Sequence, residues 1–303
     1  MENIILSAQI EALQQNLKRV EQILDTPEIP QEFRDAVRSR FYRMLRKQAV
    51  SLDELRERVQ KGILPAAAWS SLTAACQASQ PVLSECLEFL AGVAIRDKGL
   101  DKGICRVADK LVRDMARDID VKWDRVTILG EEHFVDPVAD IIRLRFPEWD
   151  VWNLPFTAHE FGHVVANQTE DVRNLLIEEC ADEQSKSYLH ELFADAFATY
   201  ILGPAYPCAA ILLRFNPCAA FADGPYHPSH AKRVYFILKT LEKMDAGLAG
   251  SGPLGKKGPY TEIIDALRNA WDSALKEAKS NGELNDGDKK LLNSQFSKVY
   301  KIL

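Results

Sequence analysis

No two of the six cysteines (Cys76, Cys86, Cys105, Cys180, Cys208 and Cys218) stand in a CxxC pair, which argues against a cysteine zinc knuckle. Basic charge is not in surplus: 38 Lys and Arg face 44 Asp and Glu, for a net charge of −6. Nucleic acid is therefore not an expected partner, since phosphate binding usually leaves a strong basic excess. A basic-then-apolar leader is missing from the opening MENIILSAQIEALQQ, which soon turns polar. Together with the scattered cysteines, this sets the expectation of a cytoplasmic protein with free thiols. Long apolar runs are missing too. The most apolar later stretch, YILGPAYPCAAILLRFNPCAAFA, is broken by three prolines and Arg214, short of the roughly 20 uninterrupted apolar residues of a membrane span. It is expected to be buried or groove-lining, with no membrane span. Internal repeats and low-complexity tracts are also lacking. What is present, 303 residues with 47% apolar and 27% charged, suits an ordinary globular chain with a sizeable core.

The first 120 residues have a helical texture. Leu6, Ile10, Leu13, Leu17, Val20 and Leu24 follow one another at alternating steps of four and three, a seam of about three heptads. A helical hairpin packed within the domain is favoured over a dimerising coil. TPEIP stops this helix, and the arginine-rich QEFRDAVRSRFYRMLRKQ follows, its arginines solvated or paired with acids. Further helical patterns cover about 52–60, 65–77, 81–95 and 102–118. This N-terminal region, 1–120, could serve as an autoinhibitory or oligomer contact.

Between Trp123 and Trp152 the pattern changes. Val126, Ile128, a turn at Gly130, then Ile142, Leu144 and Phe146 alternating with Arg143 and Arg145 suggest short strands. The stretch 141–146 is expected to be an edge strand with Arg143 and Arg145 on its wet face. Trp149 and Trp152 are expected to pack and anchor the next helix, which begins near Phe156. Residues 157–202 read as helical, with a polar interruption near 167–173. The glycine-rich DAGLAGSGPLGKKGPY (245–260) is the linker candidate, and helices are expected at about 260–280 and 286–302. The fold expected is α+β and predominantly helical, with a core over 121–245 and a linker and C-terminal helices over 246–303 packing on it.

The chemistry concentrates in LPFTAHEFGHVVANQ (154–168). Four residues apart on a helix, His159 and His163 share one face and can turn two imidazoles to a single ion. Glu160 is placed to reach water on that ion rather than the ion itself, completing an HExxH pattern. Ala158 and Gly162 leave the backbone thinly covered, which suits close packing. A catalytic zinc needs a third protein ligand and an open position. Glu178, Glu179, Asp182 and Glu183 are available early, and Glu191 and Asp195 later, in HELFADAFATY. Leu189, Leu192, Phe193, Ala196, Phe197 and Tyr200 recur at helical spacing, so an acidic ExxxD pair inside such a helix calls for a cation. Glu191 is the expected third ligand. Asp195, a turn away, is expected to accept the free N–H of a ligating histidine. His133 and His190 are expected to be structural, His190 pointing away from the ion.

HEFGH followed by ELFAD resembles the gluzincin group of zinc metallopeptidases, where HExxH on one helix is completed by the glutamate of ExxxD on the next. YHPSHAKRVYFIL (226–238) resembles the His-Pro segment of the CAAX-processing and heat-shock zinc proteases, although those carry membrane spans. The resemblance spans about residues 125–240. It implies a zincin-like core with a short sheet above an HExxH active-site helix, the sheet's edge strand pairing with an extended substrate. It also implies zinc held by His159, His163 and Glu191, with Glu160 activating a zinc-bound water against a peptide carbonyl. Tyr226, His227 and His230, with Arg233 behind them, are the candidates for stabilising the oxyanion, His227 and His230 ranking equally. GPYHPSH also reads as a helix entry with a surface His230. The expected function is a zinc-dependent intracellular endopeptidase acting on protein or peptide; the alternative is a regulatory or protein-binding module with a non-catalytic zinc site. A closed structural site would need four protein ligands, and three are convincing here.

Overall fold

The computed structural model describes residues 2–26, 29–36, 41–61, 65–121, 123, 127–130, 134–136, 141–145, 150–249, 258–280 and 282–303. Val126, His133, Phe146, Trp149 and half of the expected linker, 250–257, lie outside them. The chain divides into two compact units, one of Met1–Asp109 with Arg125–Pro147, the other of Lys110–Asp124 with Glu148–Leu303. The strands thus group with the N-terminal helices, whereas the sequence reading assigned them to a core over 121–245.

In the first unit, α1 (Glu2–Leu24), α2 (Gln31–Ala36), α3 (Tyr42–Gln60) and α4 (Pro65–Asp97) precede α5 (Ile104–Asp118), which runs on into the second unit. The heptad seam of α1 serves packing within the chain: Leu6, Ile10, Leu17 and Leu24 are buried in one cluster with Leu45, Leu52 and Leu55 of α3 and Leu72, Val82 and Phe89 of α4. Leu13 and Val20 lie partly buried against it. Two helices expected around residue 80 are one, with Pro81 inside it. An interior proline costs about 3 kcal/mol of helix propensity. Ala68, Leu72 and Ala75 before it and Val82, Cys86, Phe89 and Val93 after it all reach the same core, and that burial outweighs the lost hydrogen bond. At the start of α5, Asp101 accepts hydrogen bonds from the N–H groups of Gly103 and Cys105, meeting donors that the first turn leaves unpaired.

The strands β1 (Thr127–Gly130), β2 (Phe134–Asp136) and β3 (Ile141–Arg145) form a sheet in the order β1-β3-β2, β1 parallel and β2 antiparallel to β3. The expected edge strand is therefore central, and both of its edges are taken by neighbouring strands. Arg143 is not on a wet face. It is buried, with ion pairs to Glu88 at 3.0 Å and Glu85 at 3.5 Å on α4, whereas Arg145 is exposed. A helix that carries two acids over the strand turns an apparent polar face into an internal one. Arg96 and Asp109 clamp the head of β1: they pair at 2.8 Å, Arg96 donates to the Thr127 carbonyl and the Thr127 N–H donates to Asp109.

The second unit is helical. It continues through α6 (Pro155–Gln168), α7 (Glu170–Glu179), α8 (Glu183–Leu202) and α9 (Ala205–Ala209), with a π turn at Ala210–Arg214 and a 3-10 turn at Pro217–Ala219. Then come α10 (His230–Ala249), α11 (Thr261–Glu277) and α12 (Asp286–Ile302). Pro155 opens α6 where its missing N–H costs nothing. Asp182 caps α8 by accepting from the Ser185 N–H, and Gly203, at φ 57°, ends it. The apolar stripe of α8 lies inside: Leu189, Leu192, Phe193, Ala196 and Phe197 are buried, though Tyr200 is 40% exposed. α8 packs against α6 and α10, α10 also receives α11 and α12, and α12 reaches α7. The first residues of the expected linker, Asp245–Ala249, belong to α10. Asp245 accepts from the Tyr260 N–H and the Thr261 hydroxyl, fastening the start of α11. Trp152, expected to pack, is 62% exposed; within this unit Trp123 packs edge-on against Phe161 of α6 instead. Among the described residues, no helix is long and apolar enough to cross a membrane.

Candidate metal centre

α6 and α8 pack against each other, with Gly162 of α6 facing Ala194 of α8. A Cβ at Gly162 would come within 2.9 Å of the Ala194 Cα and 3.2 Å of Phe197, so glycine is what lets the two backbones approach this closely. The approach sets the HExxH face of α6 against the ExxxD face of α8. His159, His163 and Glu191 offer ligand atoms that all lie within 4.8 Å of one another. The His159 Nε2 stands 3.5 Å from Glu191 Oε2, and the His163 Nε2 stands 3.4 Å from Glu191 Oε1. These three residues could hold a metal ion. The donor set fits a cation: two imidazole nitrogens and a carboxylate oxygen converge, and Glu191 Oε2 is buried with no hydrogen-bond partner.

Charge balance leaves room for an ion there. Asp195 is fully buried and takes two hydrogen bonds from Arg233 at 2.7 Å each. Burial raises the Asp195 pKa, yet the guanidinium outweighs it and holds the carboxyl at about 2. Burial likewise opposes ionisation of Glu191, but His159, His163 and Arg233 keep it well below the usual carboxylate range. Two carboxylates then face one guanidinium, and the remaining negative charge can be met by a protonated His159 or by a bound cation. Burial alone would drive the proton off His159, but Asp195 and Glu191 hold its pKa up to about 9. That proton sits where an ion would supply the charge. His163, whose ring stands edge-on to His159 at 4.8 Å, is pushed well below its ordinary value, first by burial. It stays neutral, with one ring nitrogen's lone pair available. Glu160 is buried beside His159, and desolvation lifts its carboxyl to about 7, where a group can both take and return a proton near neutrality.

Two neighbours of the ligands were not foreseen. Tyr206 on α9 donates its hydroxyl proton to Asp195, lies 3.1 Å from His159 Nδ1 and stacks its ring parallel to His159 at 5.9 Å. Asp195 Oδ1 is itself 3.1 Å from that nitrogen, the placement expected of it. His190, expected to point away, lays its ring on His163, with the two Nδ1 atoms 2.9 Å apart. No spacing signals either residue: Tyr206 follows the turn after α8, and His190 lies off the ligand face.

The expected oxyanion candidates separate. His227 is 60% exposed, and its Nε2 reaches to 3.5 Å from Glu191 Oε1. Its loop is fixed to α8, because the Ser187 and Tyr188 hydroxyls donate to the carbonyls of Tyr226 and Gly224. The Tyr226 side chain is exposed. His230 is engaged elsewhere: its Nδ1 accepts from the Asn216 N–H at 3.0 Å, and its ring stacks on Phe215. As the first residue of α10 it anchors the turn at 215–217, so GPYHPSH is a helix entry, but His230 is half-buried rather than at the surface and the buried Ser229 hydroxyl makes no cap. Arg233 is held between Asp195 and the face of Phe215. Compared with known proteins, the chain matches no family model, no curated protein and no solved structure.

Proposed function

We propose that this chain is a zinc-dependent endopeptidase of gluzincin type, holding zinc through His159, His163 and Glu191 in a zincin-like core. The observation that carries the reading is the convergence of these three ligands beside a buried carboxylate, Glu160, on the same helix. Two nitrogens and one oxygen suit zinc with a position left for substrate. In such a site zinc supplies Lewis acidity and makes water nucleophilic at neutral pH. Glu160 takes the proton of the attacking water and passes it to the leaving amine. His227, on the open side of Glu191, offers an N–H to the charge growing on the carbonyl oxygen. Asp195 and Tyr206 hold His159, and Arg233 holds Asp195.

The test is to expose lysate proteins to the wild type and to Glu160→Gln, and to follow new termini by mass spectrometry. Cleavage by the wild type, lost in a variant that still binds metal, is expected. Equal cleavage by both would sink the mechanism.

One observation favours a second reading. If the His227 Nε2, already 3.5 Å from a ligand carboxylate, serves as a fourth ligand, the site is closed and the chain is a regulatory or protein-binding module. Replacing His227 with alanine separates the two: the peptidase reading expects lost turnover with metal retained, the closed site a sharp loss of metal affinity.

A further inference from the structure

We infer that His190 is a positioning residue that fixes the tautomer of His163, so that His163 presents a lone pair and not a proton at the metal position. The inference rests on the metal-centre reading above and extends it to a residue outside the HExxH and ExxxD patterns.

The geometry leaves two arrangements of one proton, and metal binding selects between them. The His163 Nδ1 and His190 Nδ1 are 2.9 Å apart, with the ring planes 20° from parallel and the centroids 4.7 Å apart. Two imidazole nitrogens at that distance share one proton, because two N–H groups would repel and two lone pairs would waste the contact. The other nitrogen of His163, Nε2, faces Glu191 Oε1 at 3.4 Å and can bind an ion only without its proton. A neutral His163 with a bare Nε2 carries its proton on Nδ1, so the shared proton belongs to His163 and His190 accepts it. His190 must then carry its own proton on Nε2, an atom that is buried with no hydrogen-bond partner among the described residues, so ion binding at His163 Nε2 has to offset an unpaired N–H.

The opposite arrangement is self-consistent as well. With the proton on His190 Nδ1, the His163 Nε2 would be protonated and would point it at Glu191, blocking the ion. The choice between the two tautomers of the pair is thus the choice between a site ready for metal and one that is not. His159 is held differently, by the carboxylate and phenol of Asp195 and Tyr206. A neutral acceptor on one ligand and an anionic one on the other give the two histidines unequal basicity, so His163 depends more on the direction of its partner than on its charge.

The decisive experiment uses the full chain and zinc itself. Zinc affinity, by competition with a chelator, is measured for the wild type, His190→Phe and His190→Asn, with circular dichroism as a check on helix content. Loss of a partner that orients a ligand typically costs 10–100-fold in metal affinity. His190→Phe, which keeps a ring but has no acceptor, should lose that much. His190→Asn, whose side-chain carbonyl can accept the same proton, should recover most of it. In the zinc-loaded wild type, long-range proton–nitrogen NMR should find His163 protonated on Nδ1 and His190 on Nε2. Unchanged affinity in His190→Phe, a loss in His190→Asn as large as in His190→Phe, or a wild-type His190 protonated on Nδ1 would each overturn the inference. Failure of the wild type to bind zinc at all would overturn the metal-centre reading together with it. Wild-type binding with an indifferent His190 would overturn this inference alone.

Discussion

At the scale of single residues, Tyr206 separates the orientation of a ligand from its charge. Tyr206→Phe removes one hydroxyl and leaves the Arg233–Asp195 pair intact. The change should weaken metal binding about tenfold, at the lower end for a group that orients a ligand, and should cost about 1 kcal/mol of stability for the lost hydrogen bond. Metal titration and denaturant melts on the variant check both. An unchanged affinity would mean that Asp195 alone orients His159. Most of the centre was legible beforehand for one reason: His159 with His163, and Glu191 with Asp195, obey helical periodicity, so spacing alone places each pair on one face. Tyr206 and His190 escape that logic because their contacts depend on where α8 crosses α6 and on the turn at Gly203. The oxyanion candidates were ambiguous for a related reason. His227 and His230 are near neighbours on the chain, but one sits in a loop tied back to α8 and the other starts a helix.

At the scale of elements, the site depends on the contact between α6 and α8, and Gly162 sits in that contact against Ala194. A methyl group there meets the Ala194 backbone at 2.9 Å, and a backbone atom cannot turn aside as a side chain can. Gly162→Ala should therefore destabilise the protein by about 1–3 kcal/mol, the usual range for overpacking. By prising the helices apart it should also weaken metal binding, although it touches no ligand. Thermal melts and metal titration on the variant measure the two effects; a stable variant with wild-type affinity would contradict this account. Helix type was legible along most of the chain from its amphipathic period, although the break between α7 and α8 at 180–182 was not. Two further features were not. Pro81 looks like a stop to any local rule, and only the core on both sides of it keeps α4 continuous. The alternation of Ile142, Arg143 and Leu144 mimics a half-wet edge strand, because nothing local shows that Glu85 and Glu88 wait on α4 to pair with Arg143.

At the scale of the whole molecule, the N-terminal helices and the strands form one compact unit. Ile128 and Ile141 belong to the same buried cluster as Leu6, Leu52 and Phe89. A chain cut to begin at residue 121 would therefore expose Ile128, Leu129, Ile141, Ile142 and Leu144, all buried in the intact protein. It should aggregate or show the exposed apolar surface of a partly folded state. Dye binding and size-exclusion chromatography on the cut chain test this; a soluble, compact fragment that binds no dye would refute it. A regulatory role for residues 1–120 is better tested by point changes on α1–α3 than by deletion.

The central claim is that three residues form one metal site, and metal content tests it most directly. Wild type, His163→Ala and Glu191→Gln are stripped with chelator, equilibrated with zinc, desalted and analysed for metal, with helix content verified. About one zinc per wild-type chain is predicted, as for a single site with three protein ligands, and little in either variant. Zinc content unchanged by both substitutions, or no zinc retained by the folded wild type, would contradict the account.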